Sequence, residues 1–433
     1  MGHLPFAAPA NGQLILLAKP VQIATHAAIL RPNLRKTTAH VGDYDRGRPL
    51  PVMDTLAAAV VRETTQKLIR IPSINPTLAP EGEGESAIAT FARGWMLEHG
   101  MRSWLEEPAP GRPNAIGECG NGHGPTLVLC AHLDTVSASG MTIPPFDGLV
   151  EGNRIYGRGA YDMKGSAAAI LCAAASVARE DVNGKLVVAL VSDEEYASIG
   201  AQHFVEHHQA DACILTEASE GKLILAHKGF VWVEIVTSGR AAHGSRWDLG
   251  ESAIGKMGRI VSAFEEFDRD VLRKRRHPLV GPASQHCALI QGGTGLSTYS
   301  ERCSLEIERR TLPGEKTADV LAELREVIAK TGERAELRCM LERPPLTCDR
   351  DQSIATLVRE AARQVSGHLP EEAGVSYWMD AALFAAAGIP TVNYGPGGGG
   401  AHEAVEWVDI DSVVQCAAVL ATTAKMFFAG KVE

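Results

Sequence analysis

From Leu56 to Ile71 apolar residues recur at the three-to-four spacing of a helix face, and Pro72 marks the end of that period. The stretch ESAIATFARGWMLEHG (85–100) repeats it and closes on Gly100, a helix-stop residue. Then the period vanishes. TLVLCAHLD (126–134), KLVVALVSDEE (185–195) and ACILTE (212–217) are continuous apolar runs of strand length, the first preceded by the turn-rich GNGHGP, and they predict buried strands. Between the first two lies GSAAAILCAAASVARE (165–180), a small-residue helix suited to close packing on a sheet. Strand, helix, strand, helix, strand predicts an α/β sheet with helices on both faces.

Near residue 228 the pattern changes. FVWVEIVTSG (230–239) and CSLEIERRTL (303–312) alternate as half-exposed antiparallel strands do, while SAIGKMGRIVSAFEEFDRDVLRK (252–274) and TADVLAELREVIAKTG (317–332) are amphipathic helices. They predict an α+β insert of roughly 115 residues, within the ordinary domain range. IATLVREAARQVSG, GIPTVNYGPGGGG and IDSVVQCAAVLATTAKMFFAG then restore the first pattern. The expected organisation is a catalytic domain in two parts, 53–227 and 344–433, interrupted by a lid at 228–343. No apolar run is expected to reach the roughly 18 residues of a membrane span. Residues 1–42 hold no Asp, Glu or Ser, and LILLA is too short for a secretory core. We expect 1–52 to be a poorly ordered leader upstream of a start at Met53.

A formal charge of -10 removes nucleic acid from the expected partners, since such a partner needs a basic face. The one basic run, Arg273–Arg276, is flanked by acidic residues and reads as a solvated helix face. Nine scattered cysteines without a CxxC pair fit a reduced, cytoplasmic protein and offer no cysteine-rich zinc site.

The acidic and histidine residues gather where apolar strands end. His132 and Asp134 follow the first strand, Asp162 sits in the glycine-rich YGRGAYDMKG, Asp193–Glu195 follow the second strand, Glu217 follows the third, and His402 follows GPGGGGA. In an open α/β sheet the carboxyl ends of the strands form the binding crevice, so these groups converge. Singly, each has a bland reading: His132 as a core histidine, Asp134 as a helix cap, DEE as a solvated loop. Together, two His and several carboxylates make the donor set of a catalytic zinc site, and a carboxylate can bridge two metals. Side chains two apart on a strand face the same way. His132 can therefore ligate while Asp134 accepts its other ring N–H. Of the adjacent Glu194 and Glu195, one can bind metal while the other faces substrate as a base.

HLDTV, YGRGAYDMKG, SDEE, GRAAH, LPGE, GIPTVNYGPG and AHEAVEWV resemble, in order and spacing over about residues 54–430, the motifs of the M20 metallopeptidases. That family includes acetylornithine deacetylases, succinyl-diaminopimelate desuccinylases, aminoacylases and glutamate carboxypeptidases. The resemblance implies a zinc-peptidase-like α/β catalytic domain with a largely parallel sheet and an inserted lid that dimerises. It implies two Zn²⁺ per chain, with Co²⁺ or Mn²⁺ as substitutes. Asp162 would bridge, His132 and Glu217 would hold one metal, and Glu195 and His402 the other. Glu194 would be the general base, Asp134 the orienter, and Asp162–Met163 a cis peptide. His243 in GRAAHGS would reach the oxyanion across a dimer, and Arg310 would bind a substrate carboxylate, with Arg309 beside it as the alternative register. Gly397 in GPGGGG would offer a backbone N–H to that carboxylate or stand in a flexible turn.

Ser297 and Ser300 replace the family's usual Asn and Pro, YASIG replaces the Gly after SDEE, and Trp247 stands where Pro is common. None removes a metal ligand; all touch the substrate side, Ser297 included. The expected activity is cleavage of an N-acyl amino acid by metal-activated water. A dipeptidase or carboxypeptidase using the same site, and a catalytically silent interaction protein, are the alternatives.

Overall fold

A computed structural model describes residues 56–430; the leader expected at 1–52 lies outside them. The central sheet has nine strands, ordered Arg102–Ala109, Arg112–Cys119, Lys185–Val191, Thr126–His132, Ala212–Leu215, Thr391–Asn393, Leu223–His227 and Leu346–Thr347, with Glu372–Val375 also pairing to Leu223–His227. The four middle strands are parallel, and the first two and Leu346–Thr347 run antiparallel to their neighbours. Alternation explains why the parallel strands are apolar throughout: Leu127, Leu129 and Ala131 face one core, Val128 and Cys130 the other. Helices Ala58–Ile69, Ser86–Glu98, Gly165–Val177, Ser353–Ser366 and Ile410–Phe428 cover the first face; Ile199–His207 and Ala381–Ala386 cover the second. The expected α/β sheet between helices is therefore present.

Residues 229–343 form a separate four-stranded antiparallel sheet, ordered Ser284–Gly292, Arg302–Thr311, Gly229–Ser238, Glu336–Arg343. Helices Ala253–Asp270 and Thr317–Lys330 bury one face of it, with Val231, Val233 and Ile235 meeting Met257, Ile260, Phe264 and Leu324. Ser252 caps the first helix by accepting from the Gly255 amide at 3.0 Å.

Three sequence expectations need correcting. Helix Ile410–Phe428 is long and apolar enough to span a membrane by length and composition. Its packing against Gly165–Val177 and Ser353–Ser366, with Val413, Cys416, Ala417 and Leu420 buried, accounts for that apolarity as a core helix. The basic run is no helix face: Leu272–Lys274 is a single 3₁₀ turn, Arg273 pairs with Asp268 at 2.7 Å, and Arg275 pairs with Glu323. GPGGGG is not a free turn, because Gly398–Gly399 pairs with Trp407–Val408 in a small four-stranded sheet. The edge hairpin Arg102–Cys119 and the strand Glu336–Arg343 were not foreseen; their mixed polar and apolar residues carry weak periodicity.

Candidate metal and catalytic site

His132 closes strand Thr126–His132 and is 1% exposed. Its Nδ1 lies 2.9 Å from the Asp134 backbone carbonyl. A carbonyl only accepts, so Nδ1 donates, and in the neutral ring the Nε2 lone pair faces the crevice. Nε2 points at Asp162 Oδ1 (3.0 Å), Glu217 Oε1 (3.5 Å) and Glu194 Oε2 (3.9 Å). Glu217 follows strand Ala212–Leu215, and Glu194–Glu195 follow Lys185–Val191, so each arrives at a carboxyl end of the parallel sheet.

The expected role of Asp134 changes. Its carboxylate is 3.6 Å from His132 Nδ1, and the backbone carbonyl has taken that hydrogen bond. The carboxylate instead accepts from the Glu194 amide (3.0 Å), the Glu195 amide (3.1 Å) and Asn75 Nδ2 (2.8 Å). Asp134 thus orients the turn that carries Glu194 and Glu195. Burial alone would raise its carboxyl, but the His132 ring, Asn75 and the Glu195 amide hold it below the usual range.

Asp162 lies in a left-handed-entry turn, after Gly159 at φ 77°, and its bond to Met163 is cis. Its Oδ1 faces His132, while its Oδ2 lies 3.2 Å from His402 Nε2. His402 also meets the Glu195 carboxylate at 3.2 Å. Hydrogen bonds donated to Asp162 and then Glu195 push the His402 imidazole up to about 10. Burial would depress His132, yet Glu217, Asp134 and Asp162 raise it well above the ordinary imidazole value. Glu194 moves up strongly, through burial first and then through Glu217, Asp380 and Glu195, against the pull of His132.

This donor set fits a pair of divalent ions. One carboxylate presents its two oxygens to two different imidazoles, and each imidazole has another carboxylate within reach. Ligand atoms of His132, Glu194 and Glu217, and of His132, Asp162 and Glu195, lie within 4.8 Å of one another. The cluster floors a cavity of about 330 Å³ whose other walls are Tyr161, Ala218, Tyr377, Trp378 and Ala401.

Several supporting residues escaped the sequence reading. Glu406 is buried and accepts from Arg158 Nη1 (2.7 Å) and from the amides of Gly159, Tyr161 and Asp162 (each 3.0 Å), which fixes the turn presenting Asp162. Asn75 bridges Asp134 and Asp193, and Arg112 joins Asp193 (2.8 Å) to Glu85 (2.6 Å) in a buried network. Glu406 sits within AHEAVEWV, where a carboxylate after the histidine was the available signal; Asn75 lies outside any periodic pattern, and Glu85 opens the helical stretch 85–100 with nothing to mark its ion pair.

The remaining candidates stand outside the cavity walls. His243 is exposed, and its Nδ1 meets Ser245 Oγ at 2.8 Å. Ser297 is exposed beside it, its carbonyl accepting from the Gly244 amide at 2.7 Å. Arg309 is buried against Glu315 at 2.6 Å, whereas Arg310 is partly exposed on the other face, 5.4 Å over the Phe230 ring. The register therefore favours Arg310. Gly397 is a correction: its amide already donates to Ser412 Oγ at 2.6 Å, so it has no N–H to give a substrate.

The model of the peptidase family M20/M25/M40 matches residues 128–426. The chain belongs to this family. The acetylornithine deacetylase of Vibrio cholerae is 30% identical over 358 residues, covering 77% of this chain and 89% of that one. The acetylornithine deacetylase of Myxococcus xanthus is 29% identical over 390 residues, covering 87% and 97%. Among solved structures, a tripeptidase from Staphylococcus aureus superposes with a TM-score of 0.70 at 20% identity, covering 86% of this chain and 99% of that one. A dinuclear metal-binding M20 peptidase of Bacillus subtilis superposes with a TM-score of 0.68 at 18% identity, covering 86% and 98%. At these identities the superpositions establish the M20 fold. Membership makes this chain a metal-dependent amidohydrolase.

Proposed function

We propose that this M20 chain hydrolyses the amide bond of an N-acyl amino acid, with Glu194 as general base beside two zinc ions. Asp162 would bridge them, His132 and Glu217 would hold one, and Glu195 and His402 the other. The observation that carries the reading is Asp162, whose two oxygens face His132 and His402 at 3.0 and 3.2 Å, with Glu194 beside them. When bound, divalent ions acidify water and polarise a carbonyl. Glu194 takes the proton of the attacking water, from a position beside the cluster 3.9 Å from His132 Nε2. The water oxygen bonds to the acyl carbon, the C–N bond breaks, and Glu194 returns the proton to the leaving nitrogen. Free acid and amino acid result. Arg310 suits the substrate carboxylate, because a guanidinium pairs with it through two parallel hydrogen bonds.

Glu194→Gln should retain about two metal ions per chain by elemental analysis while turnover falls roughly 10²–10⁴-fold. Retained turnover would sink the base assignment. Cleavage of dipeptides in preference to N-acyl amino acids would favour the peptidase reading.

His243 belongs to a homodimer formed through the insert. Exposed Trp247, Leu289, Ile290 and Leu296, together with the edge strand Ser284–Gly292, support that assembly. Sedimentation should give a dimer; a fully active monomer would refute it. Nine free thiols support a cytoplasmic location, which cell fractionation would test.

A further inference from the structure

The cavity has one chemically distinct side. Beside the carboxylate cluster stand Tyr377, whose hydroxyl donates to the Ala218 carbonyl at 3.0 Å, and Trp378, whose Nε1 donates to the Pro344 carbonyl at 3.0 Å. Both rings are held by their polar ends, leaving their apolar bodies to form the wall. The wall continues onto the insert. Trp378 meets Phe230 edge-on at 6.0 Å between centroids, and Phe230 meets Trp232 at 5.2 Å.

Strand register then places cations along that wall. Phe230 is paired with Arg310 on one side and with Arg343 on the other, so the three side chains share a face. Arg310 lies 5.4 Å over Phe230 and pairs with Glu308 at 3.0 Å, and Arg343 lies 5.7 Å over Trp378. Lys228 adjoins them and has no ion-pair partner among the described residues; burial, then Arg310 and Arg309, depress its ammonium. Outside the ligand cluster, the carboxylate that faces Tyr161 and Tyr377 is the exposed Glu220.

We infer that the amino-acid half of the substrate carries an aromatic or large apolar side chain seated on Tyr377, Trp378 and Phe230, with its carboxylate on Arg310. A basic side chain such as ornithine's is disfavoured there, because its ammonium would meet Lys228 and Arg343, neither of which has an ion-pair partner among the described residues, with Glu308 already engaged by Arg310. This inference rests on the proposed amide hydrolysis at the same site. Trp378 is a wall of the cavity, it meets Phe230, and Phe230 lies under Arg310, so the rings form a continuous apolar surface leading from the cluster towards Arg310. Burying a side chain of several methylenes' size there is worth a discrimination of about 10–200-fold.

The test is the metal-loaded full chain with N-acetylphenylalanine, N-acetylleucine, N-acetylalanine and N-acetylornithine, read as kcat/KM. Binding of the same four to Glu194→Gln by calorimetry provides a readout that needs no turnover. N-acetylphenylalanine should exceed N-acetylornithine by at least about tenfold in both. Trp378→Ala should collapse the phenylalanine-to-alanine ratio, chiefly through KM. Tyr377→Ala reports the same ratio should the tryptophan variant fail to fold. Equal or better use of N-acetylornithine overturns the inference, and loss of that preference in Glu220→Gln would locate the anion responsible. Tight N-acetylphenylalanine binding without hydrolysis of any amide would refute the proposed reaction while supporting the side-chain preference. Absence of binding to all four would overturn the preference itself.

Discussion

Glu406 is the residue whose loss the structure prices most directly. It lies 1% exposed, and each of its oxygens accepts twice: Oε2 from Arg158 and the Gly159 amide, Oε1 from the Tyr161 and Asp162 amides. In Glu406→Gln one oxygen becomes an NH₂, so whichever way the amide turns, two donors face a donor. Arg158, with a side chain 2% exposed, also loses its counter-charge. Its bonds to the Ser137 and Glu403 carbonyls do not replace that charge. Breaking a buried pair on one side costs about 3–5 kcal/mol, and a stranded amide about 1–3 kcal/mol. These terms overlap, so the expected loss is about 3–5 kcal/mol, read as a shift of the urea unfolding midpoint. A double change, Arg158→Met with Glu406→Leu, removes both charges and should recover part of the loss, because no uncompensated guanidinium remains. A single variant within about 1 kcal/mol of the parent, or a double variant no better than the single, would refute the reasoning.

Two further outcomes follow from other parts of the structure. Asp134→Ala frees the Glu194 and Glu195 amides and should weaken metal binding about 10–100-fold, measured by competition with a chromophoric chelator; unchanged affinity would mean the turn is held without it. His227 is fully buried, and burial depresses its imidazole to about 4, so it is neutral in the folded protein at neutral pH. Its folded value lies below its unfolded value of about 6.5, so its contribution is complete above pH 6.5 and is lost as pH falls towards 4. That contribution is on the order of 3 kcal/mol from the size of the shift. His227→Gln should flatten the stability profile in that window, and an unaltered slope would exclude His227 as its cause.

The α/β architecture was legible because the parallel strands are buried on both faces and read as unbroken apolar runs such as LVLCAH. The antiparallel hairpin Arg102–Cys119 was not, since RSWLEEPA mixes burial with exposure and a bulge interrupts its register between Glu106 and Ala109. The clustering of side chains was legible because the ends of parallel strands converge by topology, which brings His132, Glu195 and Glu217 together, while Asp162 and His402 arrive on turns beside them. Hydrogen-bond partners were not. Whether Asp134 met the imidazole or the amides of the next turn depends on a few tenths of an ångström, and 3.6 Å against 2.9 Å decides it. Gly397 misled because a glycine run suggests open N–H groups, while Ser412, fifteen residues later, occupies this one.

The two chain crossings into the insert run side by side. His227 pairs with Leu346 at the edge of the nine-stranded sheet, and Phe230 pairs with Arg343 just beyond. The carboxylate cluster belongs to one sheet and Arg310 to the other, and no strand is shared between them. The distance from the carboxylate cluster to Arg310 is therefore set at residues 228 and 344–345, outside both sheets. A change of one residue in either crossing would alter that distance while leaving each sheet's ladder whole.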